Sequence, residues 1–94
     1  MILGYRDQRT RDFAEGGLVK EFERFAKVAS RRLAILNQAR SLKDLRLLGA
    51  NRLEALKGDR LGLYSIRIND QWRICFSWPD GALGPSNVEI VDYH

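Results

Sequence analysis

Apolar residues recur at spacings of three and four between residues 18 and 39, which predicts a long amphipathic helix with a basic opposite face. A shorter pattern predicts a second helix over Leu42–Leu47. Ser41 followed by Asp44 three residues later is a typical capping start, and Gly49 ends the pattern. The apolar positions of the long helix are Leu18, Phe22, Phe25, Ala26, Ala29, Leu33, Leu36 and Ala39.

Strand-like alternation replaces the helical period in the second half of the chain. Ser65–Ile68 and Gln71–Phe76 predict a hairpin in which arginines alternate with apolar residues. A three-residue loop gives the pairs 68/72, 66/74 and 64/76, whereas a two-residue loop mixes Ile66 with Arg73. We favour the three-residue loop because it collects the apolar residues on one face: Tyr64, Ile66, Ile68, Trp72, Ile74 and Phe76.

The same register sets Arg67 beside Arg73 and Ser65 beside Cys75 on the other face of the hairpin. Like charges side by side on neighbouring strands repel each other, and this is a cost that a bound anion or solvent would reduce. Cys75 itself fits the pattern of a core-filling residue in mid-strand better than that of a nucleophile. The hairpin therefore has an apolar face and a face that could bind an anion.

Shorter patterns complete the predicted fold. Ile2–Tyr5 predicts a first strand, and residues 7–17 form either a short helix or a mobile loop. A turn at Lys57-Gly58-Asp59 precedes the hairpin. In the last strand, Asn87–Tyr93, residues 88, 90 and 92 share one face with His94. We expect residues 1–94 to form a single α+β domain with helices on one side of an antiparallel β-meander.

Composition narrows the functional classes. The 94 residues contain no apolar run of membrane-spanning length and no secretory h-region, and their single cysteine cannot form an internal disulfide. We therefore expect a cytoplasmic protein without a membrane partner. The formal charge is +4, and all 16 lysines and arginines lie at or before Arg73. Twelve of them are arginines, which suits a polyanionic partner, although a solvated basic surface is equally compatible.

Candidate chemistry is limited by the residue types. One histidine and one cysteine do not supply a usual zinc set, and no glycine-rich phosphate loop is present, so we expect neither a metal nor a cofactor. Metal-free RNA cleavage needs only a base, an acid and a cation. The cation could be Lys57, Arg60, Arg67 or Arg73, and proton transfer could use Glu54, Asp92 or His94, with Tyr93 stacking on a base.

Three segments resemble the HigB-type toxins, which are RelE-like members of bacterial type II toxin–antitoxin modules and are also called plasmid maintenance system killer proteins. They are NRLEALKGDR at 51–60, GLYSIRINDQWRICFSW at 62–78 and NVEIVDYH at 87–94. The resemblance extends over about residues 33–94 and is weak over residues 1–17.

The resemblance implies a RelE-like fold and a ribosome-dependent, metal-independent mRNA endonuclease. It also implies a helix-turn-helix antitoxin of the HigA type, through which operator DNA is bound. By position, Arg73 would stabilise the scissile phosphate, and Asp92, Tyr93 and His94 would form the catalytic cluster. Lys57 and Arg60 would bind the RNA backbone.

One position departs from the family pattern. Where some members have a histidine between residues 52 and 57, this chain has Glu54. Glu54 could act as a base if burial or a neighbouring Asp92 favoured it, or it could be an exposed charge at a strand end. The leading hypothesis is an mRNA-cleaving toxin. The alternatives are a non-catalytic ribosome- or RNA-binding module that acts with its antitoxin as corepressor, and an interaction domain whose charge serves solubility alone.

Overall fold

The computed structural model describes residues 1–47 and 52–92. The elements before the sheet are α1 (Gln8–Ala14), a 3₁₀ turn (Lys20–Phe25), α2 (Ala26–Gln38) and α3 (Leu42–Leu47). The sheet contains β1 (Glu54–Ala55), β2 (Leu63–Arg67), β3 (Trp72–Ser77) and β4 (Ser86–Asp92), and a second 3₁₀ turn (Gly58–Arg60) lies between β1 and β2. The strands pair in the order β1-β2-β3-β4, all antiparallel, which confirms the predicted α+β meander. None of the described helices has the length and apolar content to span a bilayer.

The hairpin register is the one that the sequence predicts. Tyr64 pairs with Phe76, Ile66 with Ile74, and Arg67 with Arg73. The Asn69 side-chain oxygen accepts hydrogen bonds from the backbone N–H groups of Gln71 and Trp72, each at 2.8 Å. This side-chain turn fixes the length of the loop and therefore the face on which every residue of the hairpin lies.

The long predicted helix is interrupted at its first third, which corrects its boundaries. Phe25 has φ −121° and ψ 19°, outside the helical region, so that α2 begins only at Ala26. In the preceding 3₁₀ turn, residues three apart lie on the same side. Phe22 and Phe25 are therefore both buried against Trp72, with ring centroids 5.8 and 5.0 Å from it. Leu18, predicted to lie on the apolar face, precedes the turn and is 96% exposed.

The predicted second helix, α3, is confirmed with its cap. The Asp44 N–H donates to the Ser41 hydroxyl at 3.4 Å, and the Asp44 carboxylate accepts from the backbone N–H of Arg40 at 2.9 Å. Both bonds satisfy donors at the start of the helix. The predicted helix stop at Gly49 lies outside the described residues.

The N-terminal strand is reduced to a single parallel bridge between Tyr5 and Val88. Val88 donates to the Gly4 carbonyl at 3.1 Å and accepts from the Arg6 N–H at 2.9 Å. The segment ends there because the Asp7 carboxylate accepts from the Thr10 N–H and caps α1. Of the two options for residues 7–17, the short helix is therefore the one observed.

Helix α1 protects the outer edge of β4. The buried Thr10 hydroxyl accepts a hydrogen bond from the Ile90 N–H at 3.0 Å, and Arg9 donates to the Ile90 carbonyl at 3.4 Å. These side chains satisfy backbone groups that an open sheet edge would expose to another chain.

The main core lies between the helices and one face of the sheet, which we call the helix face. The opposite face, lined by Ser65, Arg67, Arg73, Cys75 and Glu89, is called the arginine face below. The buried core residues of the helices, the first 3₁₀ turn and the loop after α2 are Phe22, Phe25, Ala29, Leu33, Leu36, Ala39 and Leu45. Those of the sheet and its loops are Ile66, Ile68, Ile74, Phe76, Trp78, Val88 and Ile90.

Candidate functional site

Two arginines stand side by side on the arginine face at the loop end of the β2–β3 hairpin. Arg67 and Arg73 are direct partners on β2 and β3, as the sequence predicts. The Arg73 guanidinium donates to the Asn69 carbonyl at 2.6 Å, and that of Arg67 forms an ion pair with Asp70. Both side chains are thus held at the end of the hairpin, where two positive charges lie close together.

The adjacent row of the arginine face contains two carboxylates separated by two small residues. Glu54 pairs with Ser65, Ser65 with Cys75, and Cys75 with Glu89, so that the row crosses all four strands. Glu54 is exposed at the β1 edge, whereas Glu89 is mostly buried on β4. The Ser65 hydroxyl is buried and has no hydrogen-bond partner within residues 1–47 and 52–92.

Arg60 reaches this row from the 3₁₀ turn that precedes β2. Its guanidinium acts electrostatically on the Cys75 thiol, as do Glu89 and Arg73. Burial raises the pKa of the Cys75 thiol; the positive charges of Arg60 and Arg73 oppose this shift, and Glu89 acts in the same direction as burial. Cys75 is fully buried, in agreement with its predicted filling role, although it fills the arginine face and not the helix face.

Arg6 joins the site from the N-terminal segment. Its guanidinium lies 3.6 Å from the Glu89 carboxylate, while its N–H is bonded to Val88. Spacing and composition do not connect residue 6 with this face. The β3–β4 ladder is also irregular just beyond the Cys75–Glu89 pair, where Asn87 adopts φ 53°. Asparagine tolerates this left-handed conformation better than most residues, but its effect on the register cannot be read from spacing alone.

Asp92 lies on the other side of the sheet from the arginine pair. It pairs with Trp72 on the helix face, whereas Arg73 pairs with Val91. The Gln71 side chain donates to the Asp92 carboxylate at 2.9 Å. The other two members of the predicted C-terminal cluster, Tyr93 and His94, lie outside the described residues.

Of the two alternatives for Glu54, the structure shows an exposed charge at a strand end, distant from Asp92. Glu54 belongs to β1 and Asp92 to β4, which form opposite edges of the four-stranded sheet. Three inter-strand spacings of about 4.8 Å separate them. Glu54 is also exposed, so neither condition that would favour it as a base is met. Of the predicted RNA-binding residues, Lys57 is exposed and Arg60 is half-buried beside Cys75.

Metal ligands do not converge on this face. Within residues 1–47 and 52–92, no three histidine, cysteine, aspartate or glutamate side chains group closely enough to hold a metal ion. The arrangement provides a row of cations beside a row that contains carboxylates. Such a surface can attract and orient a phosphate group and offers groups able to move a proton.

Comparison with known proteins gives consistent matches. A family model described as "RelE-like toxin of type II toxin-antitoxin system HigB" matches residues 5–94. Toxin HigB-1 of Vibrio cholerae serotype O1 is 47% identical over 52 residues, which cover 55% of this chain and 55% of that protein. A Haemophilus influenzae protein is 36% identical over 68 residues, which cover 72% of this chain and 67% of the relative. The match to HigB-1 thus spans about half of that toxin's length.

Solved structures share the fold at low sequence identity. The YoeB/ParE toxin from Agrobacterium tumefaciens superposes with a TM-score of 0.60 at 14% identity, covering 99% of this chain and 98% of that one. The YoeB–YefM complex from Staphylococcus aureus superposes with a TM-score of 0.53 at 24% identity, covering 100% and 95%. These similarities confirm the predicted RelE-like fold.

Proposed function

We propose that this chain, which belongs to the HigB-like family of RelE-like toxins of type II toxin–antitoxin systems, cleaves messenger RNA on the ribosome without a metal ion. The observation that carries the proposal is the direct pairing of Arg67 with Arg73, with Arg60 beside Cys75 in the next row. Like charges on opposed positions destabilise a sheet, and a phosphate group bound between them neutralises this repulsion.

The reaction is an attack of the RNA 2′-oxygen on the neighbouring phosphorus. A new O2′–P bond forms while the P–O5′ bond breaks, which leaves a 2′,3′-cyclic phosphate and a 5′-hydroxyl. A base removes the 2′-hydroxyl proton and an acid protonates the departing 5′-oxygen. Arg73 stabilises the charge on the phosphorane, and Lys57, Arg60 and Arg67 hold the flanking backbone.

Proton transfer is assigned to Asp92 and His94, with Tyr93 orienting the substrate base. Support comes from strand order, since β4 is the immediate neighbour of β3 and Asp92 lies one position beyond the partner of Arg73. Glu54 lies two strands from Arg73 and is assigned a minor role. Deleting His94 alone is expected to reduce message cleavage strongly, since it removes the chain's only imidazole.

A second candidate function is a non-catalytic ribosome- or RNA-binding module that acts with its antitoxin as corepressor. The observation that favours it is the separation of the acidic groups: Glu54 and Asp92 occupy opposite edges of the sheet. A face with cations but without a converging base would bind RNA and leave it intact.

The proposed partner is a helix-turn-helix antitoxin of the HigA type, with operator DNA contacted only through it. Support comes from the shared fold with the toxin of the Staphylococcus aureus YoeB–YefM complex. The protein is proposed to act in the cytoplasm, where ribosomes translate message. It is proposed to form one domain over residues 1–94 and to need no cofactor.

Primer extension on translating ribosomes separates the two functions. The wild-type protein is expected to produce new message 5′ ends that carry a hydroxyl, so that ligating an adaptor to them requires prior phosphorylation. Arg73→Ala is expected to abolish these ends. Arg31→Ala, on the exposed side of α2, serves as the matched control and is expected to retain them.

Cleavage by Arg73→Ala at the wild-type rate would remove Arg73 from the mechanism. Stalled ribosomes without new 5′ ends in the wild-type reaction would support the binding module. New ends that carry a phosphate would contradict attack by the 2′-oxygen.

A further inference from the structure

A pocket beside the hairpin tip collects three arginines, two of which have no role in the proposed mechanism. It has a volume of about 390 Å³ and is lined by Arg32, Arg52, Arg67, Ile68 and Asn69. We call it the hairpin pocket. None of the lining residues is acidic, which distinguishes it from the mixed-charge row that contains Glu54 and Glu89.

The three arginines come from different parts of the fold. Arg32 belongs to α2, and its Nε donates to the backbone carbonyl of Arg67 at 3.2 Å. Arg67 is the last residue of β2, and Arg52 lies two residues before β1. Glu54 of β1 pairs with Ser65 of β2, and the chain just before β1 brings Arg52 to the pocket that Arg67 lines at the end of β2. The sheet register and a helix side chain therefore build this cluster together.

Acidic side chains compensate the positive charges of the hairpin pocket only in part. Asp70 forms an ion pair with Arg67, but its side chain is 97% exposed, so that solvent screens the interaction strongly. Arg52 makes no hydrogen bond or ion pair within residues 1–47 and 52–92, and its φ of 48° is uncommon for a residue other than glycine. Three guanidinium groups around one pocket repel one another unless an anion lies among them.

The pocket adjoins the proposed scissile-phosphate site through Arg67, the strand partner of Arg73, and through Asn69. Asn69 lines the pocket, and its carbonyl accepts the hydrogen bond from Arg73. An RNA strand whose scissile phosphate lies at Arg73 has its next phosphates within reach of the hairpin tip. Guanidinium groups bind such phosphates with paired hydrogen bonds.

We propose that the hairpin pocket binds a backbone phosphate of the message strand next to the scissile one, with Arg32 and Arg52 as the ligands that define it. The inference rests on the proposed function, because it takes the position of the scissile phosphate from Arg73. The ligand is a phosphodiester, and it belongs to the message and not to ribosomal RNA.

The test uses the full chain and a fluorescent single-stranded RNA of twelve nucleotides with 2′-O-methyl groups, which block cleavage. Binding is measured by anisotropy over a range of salt concentrations for the wild type, Arg52→Gln and Arg32→Gln. Arg31→Gln, adjacent to Arg32 but exposed, is the matched control. Each pocket variant is expected to bind more weakly and to lower the slope of log affinity against log salt by about 0.7, the value for one single-strand phosphate contact.

A second arm locates the contact on the RNA. A neutral methylphosphonate is introduced at each linkage in turn, and one position is expected to weaken wild-type binding. The same substitution is expected to cost nothing further in Arg52→Gln, because the two partners then no longer interact. Arg32→Gln also loses a hydrogen bond to β2, so thermal unfolding is recorded for every variant. Arg52→Gln, which breaks no such bond, carries the test if Arg32→Gln unfolds.

Equal affinity and equal salt slope in Arg52→Gln, the control and the wild type would overturn the proposal. The proposal would also be overturned if Arg52→Gln bound the oligonucleotide as tightly as the wild type does but bound empty ribosomes more weakly. The phosphate in the pocket would then belong to ribosomal RNA. Neither readout involves cleavage. The proposed nuclease activity is tested separately, by comparing the new message 5′ ends that the wild type and Arg73→Ala produce.

Discussion

Arg73 and Asp92 belong to neighbouring strands but lie on opposite faces of the sheet, since Arg73 pairs with Val91 and Asp92 with Trp72. A substrate bound on the arginine face therefore meets Asp92 only around the end of β4. In the proposed mechanism, the phosphate is held from the face of the sheet and the proton is moved at the end of its last strand.

This geometry predicts unequal effects at the two candidate carboxylates. Asp92→Asn is expected to lower the rate of message cleavage by about 10²- to 10⁴-fold, the usual contribution of a general acid or base. Glu54→Gln, on the far edge of the sheet, is expected to change it less than about tenfold. Single-turnover cleavage on translating ribosomes measures both.

The asparagine can still accept the hydrogen bond from Gln71, so the Asp92 variant tests the charge and not the packing. Co-purification of each variant with the antitoxin controls for folding. A greater loss in Glu54→Gln than in Asp92→Asn would reverse the assignment.

The sequence was sufficient for the hairpin but not for relations between distant strands. The register at Ile66 and Arg73 could be predicted because only one loop length separates apolar from charged side chains. Glu54 and Asp92 could not be located relative to each other from alternation, because strand order decides their separation.

The helical pattern had a similar limit. Phe22 and Phe25 fit both a 3.6-residue and a three-residue period, so spacing did not distinguish α-helix from 3₁₀ turn. The contacts of both rings with Trp72, which is 47 residues away from Phe25, accompany the tighter turn. Local periodicity carries no information about such a contact.

Phe22 is expected to be a main determinant of stability. It is fully buried, packs against Phe13, Phe25 and Trp72, and lies beneath the Arg9 guanidinium at 5.2 Å. Phe22→Ala is expected to lower the free energy of unfolding by about 3–5 kcal/mol, since the loss combines transfer and cavity terms. Urea denaturation followed by circular dichroism measures it.

Leu18→Ala is the control for Phe22→Ala, because Leu18 is almost fully exposed. Its effect is expected to stay within about 0.5 kcal/mol. A larger cost at Leu18 would mean that residues 18–25 continue the helix and bury that side chain.

The buried Cys75 thiol is expected to make the folded protein less stable at alkaline pH. Burial raises the pKa of its thiol in the folded state, so the unfolded chain loses this proton first as the pH rises. Above about pH 8.5 the unfolded state then binds fewer protons, and the free energy of unfolding declines. Below that pH both states are protonated, and the thiol makes no pH-dependent contribution.

Urea unfolding at pH 7 to 10 checks this prediction against Cys75→Ala. The variant is expected to show a smaller decline, with a constant offset for the lost packing. Burial and the charge of Glu15 also raise the pKa of Tyr5, while Arg11 opposes this shift. Tyr5 therefore lowers the free energy of unfolding at alkaline pH in both the wild type and Cys75→Ala. Identical slopes would show that Cys75 titrates alike in the folded and unfolded states.

Thr10 and Ser65, which both have buried hydroxyl groups, are expected to respond oppositely to removal of the hydroxyl. The Thr10 hydroxyl accepts from the Ile90 N–H at 3.0 Å, so Thr10→Val leaves a buried backbone donor without its acceptor. This is expected to cost about 1–3 kcal/mol. The Ser65 hydroxyl has no partner within residues 1–47 and 52–92, so Ser65→Ala removes a buried polar group without breaking a bond.

Ser65→Ala is therefore expected to leave the free energy of unfolding unchanged or to raise it. Both variants alter few atoms, so their unfolded states differ little from that of the wild type. Urea denaturation at pH 7 compares their free energies of unfolding directly. A destabilisation of Ser65→Ala as large as that of Thr10→Val would indicate that an ordered water molecule satisfies the Ser65 hydroxyl. In that case the small residues at the centre of the arginine face hold solvent, and an incoming phosphate would have to displace it or bind through it.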